Sequence, residues 1–159
     1  MKVLGIIDED LVNYKVPSMV IEMPKCDFKC DKECGMRVCQ NSALAAAPPR
    51  EINIMDIILR YVKNDITSAI VFQGLEPFDS WDDLLLFCKL FRYYCNIPTI
   101  VIYTGYKEEE IKDKVKILQK YCGNFIIKYG RYIPNQESHY DETLGVELAS
   151  PNQYAVYYE

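Results

Sequence analysis

The chain has 159 residues, enough for one domain whose core folds without disulfide staples, and its 23 acidic against 18 basic residues give a formal net charge of -5. That balance, with no basic tail and no Lys/Arg stripe, argues against direct nucleic-acid binding. No leader-like segment or bilayer-length apolar run stands out, so a cytoplasmic protein with no membrane partner is expected; its clustered thiols would stay reduced and bind metal or do chemistry, and the odd count of seven cysteines disfavours a closed disulfide framework.

After an opening segment "MKVLGII", the stretch "SMVIEMP" reads as a strand running straight into Cys26. "INIMDIILRYV" places Ile54, Ile57, Ile58 and Tyr61 near one face of a helix. "SAIVFQG" is an almost continuously apolar strand, the pattern of a strand covered on both faces, and it ends at Gly74. Ser80 followed by Asp83 reads as a capping-box variant opening the helical run "DDLLLFCKLFRYY". "TIVIYTG" is the next buried strand. In "KEEEIKDKVKILQKYC", Ile111, Val115, Leu118 and Cys122 recur at helical spacing, and Glu108, Glu109 and Glu110 suit the positive end of the helix dipole. "NFIIKYG" returns as a strand, and His139 lies in the polar, loop-like "NQESHYDE" as a structural rather than catalytic histidine.

Strands alternating with helices imply an α/β fold with a mostly parallel sheet and right-handed crossovers. The chain falls short of the about 250 residues of an eight-unit barrel, so the expected architecture is a compact single domain built as a reduced or partial (β/α) barrel. Ligands in such folds bind beyond the carboxyl ends of the strands. The unusual segments "KCDFKC", "QGLEPF", "YTGY" and "KYGRY" fall there.

Four cysteines, Cys26, Cys30, Cys34 and Cys39, stand within fourteen positions, with three, three and four residues between them. The short CxxC pairs of zinc knuckles are missing, but a four-thiolate zinc site and an iron-sulfur cluster both remain open from spacing alone. Three protein ligands on a four-iron cluster leave one iron free to bind another molecule and imply chemistry; a saturated site implies structure or electron transfer. Cys88, Cys95 and Cys122 have no close cysteine neighbour and read as packing residues. In "GLEP", Gly74 permits close backbone approach and Glu76 offers a carboxylate to an ammonium group, although such a segment is commonly only a turn.

In this context the chain resembles the radical S-adenosylmethionine superfamily, and within it the activating proteins of anaerobic ribonucleoside-triphosphate reductase. "CDFKC" looks like the first pair of the superfamily's C-x3-C-x2-C loop, and "VCQN" looks like its end. The resemblance makes Cys26, Cys30 and Cys39 the cluster ligands, with eight residues between the last two where the family pattern has two. Cys34 is the alternative third ligand, or the fourth of a structural site. "GLEP" looks like the family's "GGEP" with Leu75 in place of the second glycine, "YTGY" resembles a segment after a buried strand, and "ASPNQY" looks like the closing "GSSNQR".

The resemblance implies one radical S-adenosylmethionine-like domain over residues 1–159. Its cofactors would be a 4Fe-4S cluster and S-adenosyl-L-methionine, the latter held by Gly74, Glu76, Pro77, Thr104 and Lys128. Lys128 sits near the end of a buried strand and would meet the cofactor carboxylate, though a lysine there ordinarily reaches out over the rim. The implied reaction is reductive cleavage to a 5'-deoxyadenosyl radical that abstracts hydrogen from a backbone glycine of a glycyl-radical enzyme, the anaerobic ribonucleotide reductase, with an external reductant such as flavodoxin. No catalytic side-chain nucleophile is required. Other readings are a radical enzyme acting on a different peptide or small molecule, an electron-transfer protein and a zinc-stabilised scaffold.

Overall fold

Four strands with near-continuous apolar sequence form the centre of the molecule: β3 (Ser18–Met23), β5 (Ala69–Gly74), β6 (Thr99–Tyr103) and β7 (Phe125–Tyr129). They pair in parallel in that order in the computed structural model, which describes residues 1–159. Two strands close the edges antiparallel, β2 (Gly5–Asp10) on β3 and β10 (Tyr154–Tyr158) on β7, giving the order β10-β7-β6-β5-β3-β2. The six-stranded sheet is open and mixed, as expected of a partial barrel. Two small antiparallel pairs lie outside it: β1 (Lys2–Val3) with β4 (Arg50–Glu51), and β8 (His139–Asp141) with β9 (Val146–Leu148).

Successive strand residues face opposite sides of the sheet, and the two sides are covered differently. One side packs against α2 (Ile54–Val62), α3 (Trp81–Tyr94) and α4 (Glu108–Tyr121), which contribute Ile57, Phe87, Phe91 and Leu118 to a core with Met19, Ile21, Phe72, Ile102 and Ile127. Phe87 meets Phe72 edge-on at 5.1 Å and stacks on Phe91 at 5.5 Å. The opposite side carries Val20, Val71, Val101 and Ile126, covered by Tyr14, Leu144 and Leu148 from the preceding loop and the β8–β9 hairpin. A further short helix, α1 (Lys29–Cys34), stands in the cysteine segment. No helix is long and apolar enough to cross a membrane.

Cys88 and Cys122 are core residues and Cys95 is partly buried against the same core cluster, as their isolation in sequence suggested. The opening segment, to which no element was assigned, forms β1 and enters β2. Two local expectations need correction. His139 lies on β8 rather than in a loop; that short ladder lies outside the main sheet, where apolar patterning is weak. Ser80 and Asp83 do not form a capping box: the chain enters α3 through a 3-10 turn, Pro77–Ser80, and Ser80 lacks the extended backbone of a cap. The Ser80 hydroxyl is buried without a partner, while the Asp83 carboxylate accepts from the Lys2 N–H at 3.0 Å.

Candidate functional site

At the carboxyl ends of the parallel strands the inward-facing residues turn polar. Gln73, Tyr103 and Lys128 occupy this position on β5, β6 and β7, and they floor a cavity of about 370 Å³. Cys26, Cys30 and Cys39 line the same cavity, together with Gly74, Glu76 and Thr104. Leu148, Ala149 and Gln153, at and beyond the β8–β9 hairpin, add to its wall.

Backbone pairing continues past the strands and fixes these residues to one another. Beyond β3 and β5, the Leu75 N–H donates to the Met23 carbonyl at 3.1 Å and the Glu76 N–H to the Lys25 carbonyl at 2.7 Å, so the approach to Cys26 runs alongside the "GLEP" strap. Gly74 makes that close approach: its φ is 96°, and an added Cβ would lie 2.9 Å from the Met23 nitrogen. Leu75 has no positive φ, which explains why a leucine is accommodated there. On the other side, Gly130 (φ 100°) lets the "SPNQ" turn press against β7, where a Cβ would meet the Asn152 carbonyl oxygen at 2.7 Å. Asn152 Nδ2 donates to the Arg131 carbonyl at 2.8 Å, and Gln153 bridges Ala149 and Gly130.

The Glu76 carboxylate is buried and held from three directions. Oε1 accepts from the Phe78 N–H at 3.0 Å and the Thr104 hydroxyl at 2.8 Å, and Oε2 accepts from the Gly105 N–H at 2.9 Å. Burial nevertheless pushes its pKa up to about 7 against these donors. Acceptor capacity remains on Oε2 for a cationic donor. Lys128 is buried too rather than reaching over the rim; Nζ donates only to the Gly130 carbonyl, at 3.1 Å. Desolvation lowers its pKa to about 8, opposed by the Cys30 and Glu76 charges. The cavity therefore presents one buried acid and one buried base, a pair suited to the two charged ends of an amino acid.

The three thiols line the same space as this acid and base. Cys26 Sγ accepts from the Phe28 N–H at 3.2 Å, with Phe28 in the left-handed region at φ 55°. Burial first, and then the neighbouring Glu76, Asp79 and Asp27 charges, push its pKa up to about 12. Cys30 is raised as well, mainly by burial. Cys26, Asp27 and Asp79 bring ligand atoms within 4.8 Å of one another, but no three of the thiols do so. Four thiolates on one zinc ion would sit about 3.8 Å apart, given Zn–S bonds of about 2.3 Å. Three thiols spread around one cavity fit the larger, thiolate-ligated iron-sulfur group better.

Cys34 faces elsewhere, lining with Cys30 a neighbouring cavity of about 580 Å³ walled by Tyr129, Arg131, Tyr132 and Tyr154. Pro77 is buried at the first position of the 3-10 turn and does not line the cysteine cavity. Sequence reasoning missed Asp31, Asn41 and Gln153. All three act by hydrogen-bonding backbone across a loop, and of these only "CQN" and "SPNQ" had any visible signal. Neither the curated proteins nor the solved structures contain a match to this chain. A protein-family model does match: it describes a 4Fe-4S single cluster domain and spans residues 18–153, from the first residue of β3 to Gln153 at the cavity wall. With all four clustered cysteines inside that match, the chain belongs to the 4Fe-4S single cluster domain family.

Proposed function

We propose that this protein is a radical S-adenosylmethionine enzyme with a 4Fe-4S cluster on Cys26, Cys30 and Cys39, and that it installs a glycyl radical in an anaerobic ribonucleotide reductase. The observation that carries this reading is the shared cavity, which Cys26, Cys30 and Cys39 line together with Glu76, Thr104 and Lys128. When bound, the cluster would deliver one electron, from a reductant such as flavodoxin, to split the carbon–sulfur bond of the sulfonium cofactor and release the 5'-deoxyadenosyl radical.

The chain's own residues bind and orient. Glu76 offers the free acceptor capacity of Oε2 to the cofactor ammonium, which would hold this high-pKa carboxyl in its charged form. Thr104 and the Gly105 N–H keep the carboxylate aimed. Lys128 gives its Nζ to the cofactor carboxylate and regains there the solvation it lost on burial. Gly74 keeps this strap against the cysteine-bearing chain, and Pro77 shapes the turn that follows Glu76.

Anaerobic reconstitution tests the reading. Iron and sulfide analysis with Mössbauer spectroscopy should give a 4Fe-4S cluster, and the reduced protein should cleave S-adenosylmethionine. Mixed with the cognate reductase, it should produce a glycyl-radical signal in electron paramagnetic resonance. Cofactor cleavage without that signal reassigns the substrate to another peptide or a small molecule. Stoichiometric zinc with no acid-labile sulfide removes the enzyme reading altogether.

A further inference from the structure

The eight residues between Cys30 and Cys39 pose a geometric problem. Cys30 lies in α1, which runs on to Cys34 at the wall of the second cavity, so the chain must reverse to bring Cys39 back to the first. Gly35, with φ 67°, ends the helix in the left-handed conformation that permits such a reversal. The return is then fixed by one atom: Asp31 Oδ1 accepts from the N–H groups of both Val38 and Cys39, each at 2.8 Å. On the far side of Cys39, Asn41 Nδ2 donates to the Gly74 carbonyl at 2.9 Å and pins the chain to the end of β5.

We propose that Asp31 is the positioning residue for the third cluster thiolate, its carboxylate replacing, through two backbone hydrogen bonds, the short spacing that would otherwise hold Cys39 beside Cys30. This inference deepens the proposed function and rests on its cluster assignment. Two donors on one carboxylate oxygen are charge-assisted and directional. They fix the backbone at Cys39 itself, so the thiol direction follows from the clamp. Asp31 touches neither thiol nor cofactor in this role. An amide at position 31 keeps the accepting oxygen and should support the same loop.

The test compares wild type, Asp31→Ala and Asp31→Asn after anaerobic reconstitution, reading iron retention against a chelator and the resonance spectrum of the reduced cluster. Loss of a residue that orients a metal ligand commonly weakens metal affinity about 10- to 100-fold. Asp31→Ala should accordingly lose iron about tenfold faster or more and change the spectrum, Asp31→Asn should restore both, and amide hydrogen exchange at Val38 and Cys39 should accelerate only in the alanine variant. Should Asp31→Ala fail to fold, Asp31→Ser, too short to hold both N–H groups, takes its place with the same expectation. A wild type that loads normally beside an alanine variant with unchanged retention and spectrum overturns the Asp31 role alone. A wild type that takes up no cluster overturns the cluster assignment and this inference with it.

Discussion

The two faces of the central sheet use alternate residues of the same strands and are built for different ends. The helix-covered face is apolar along its length: its core cluster holds 24 buried residues, against 8 on the inner face, and Phe72, Ile102 and Ile127 remain fully buried close to the strand ends. On the inner face the apolar layer of Val71, Val101 and Ile126 stops one step earlier, and Gln73, Tyr103 and Lys128 replace it. Stability and chemistry are thereby separated by the two-residue period of a strand. A change on one face should move one property and leave the other largely intact.

Substitution among the clustered cysteines should test this separation with the largest effect. Cys39→Ser should remove most of the iron bound after reconstitution, while Cys34→Ser, facing the neighbouring cavity, should retain it. A serine hydroxyl is a poor substitute for a thiolate ligand. Apoprotein stability should change little in either case, because both cysteines are only half-buried. Metal analysis with urea unfolding of the metal-free protein checks both statements; loss of iron from Cys34→Ser alone would reverse the assignment.

Phe87→Ala attacks the other face. The ring is fully buried between Phe72 and Phe91, so truncation removes two aromatic contacts and leaves a cavity. The expected destabilisation is about 3–5 kcal/mol, measured by urea unfolding. Below its lowered melting temperature the variant should still take up iron, because Phe87 does not line the cysteine cavity.

This division also explains what could be read from the sequence. The parallel strands and their helices were legible because burial on both sides of the sheet leaves long apolar runs and helical periodicity, as in "SAIVFQG" and "KEEEIKDKVKILQKYC". β2 and β10 were not legible: they are edge strands whose partly exposed residues, "GIIDED" and "YAVYY", carry no comparable run. At the site, their clustering singled out the cysteines, whereas Glu76 stood out through the resemblance of "GLEP" to a Gly-Gly-Glu-Pro strap. The burial of Lys128 and the clamp made by Asp31 depend on chain reversals that local sequence does not specify. The mistaken cap at Ser80 has a local origin instead: Glu76, four residues earlier, already caps the 3-10 turn that leads into α3 by accepting the Phe78 N–H.

An ion-pair cluster joining α4 to α1 beyond the end of β7 offers a finer test, and its effect should depend on pH. Arg131, just beyond β7, donates to both Glu110 oxygens at 2.8 and 2.7 Å, and its Nε lies 3.0 Å from Glu33 on α1. These bonds to Arg131 lower the Glu110 pKa from 4.5 to about 2. The folded state thus binds this proton less readily than the unfolded chain, so the pair stabilises fully above pH 4.5 and its contribution is lost as pH falls towards 2. Glu110→Gln should be less stable than wild type at pH 6, by less than Phe87→Ala, and the difference should shrink at pH 3. A difference independent of pH, by urea unfolding, would assign the loss to packing instead.

The smallest effect is expected at Leu75, where the resemblance to a Gly-Gly-Glu-Pro strap has a leucine in place of the second glycine. The positive φ of this strap falls on Gly74, and the Leu75 N–H is already paired with the Met23 carbonyl, so no steric demand for glycine exists at position 75. Leu75→Gly should therefore relieve no strain. It should instead loosen the unfolded chain and remove a half-buried side chain from the cavity wall, costing about 0.5–1 kcal/mol from backbone freedom alone. Titration of S-adenosylmethionine into the reconstituted protein should show a weaker effect than Glu76→Ala, which deletes the carboxylate facing the proposed ammonium site. If Leu75→Gly stabilised the chain or changed affinity as much as Glu76→Ala, the cavity would be shaped by the strap's side chain, and the strict division between a packing face and a chemical face would fail at this strand end.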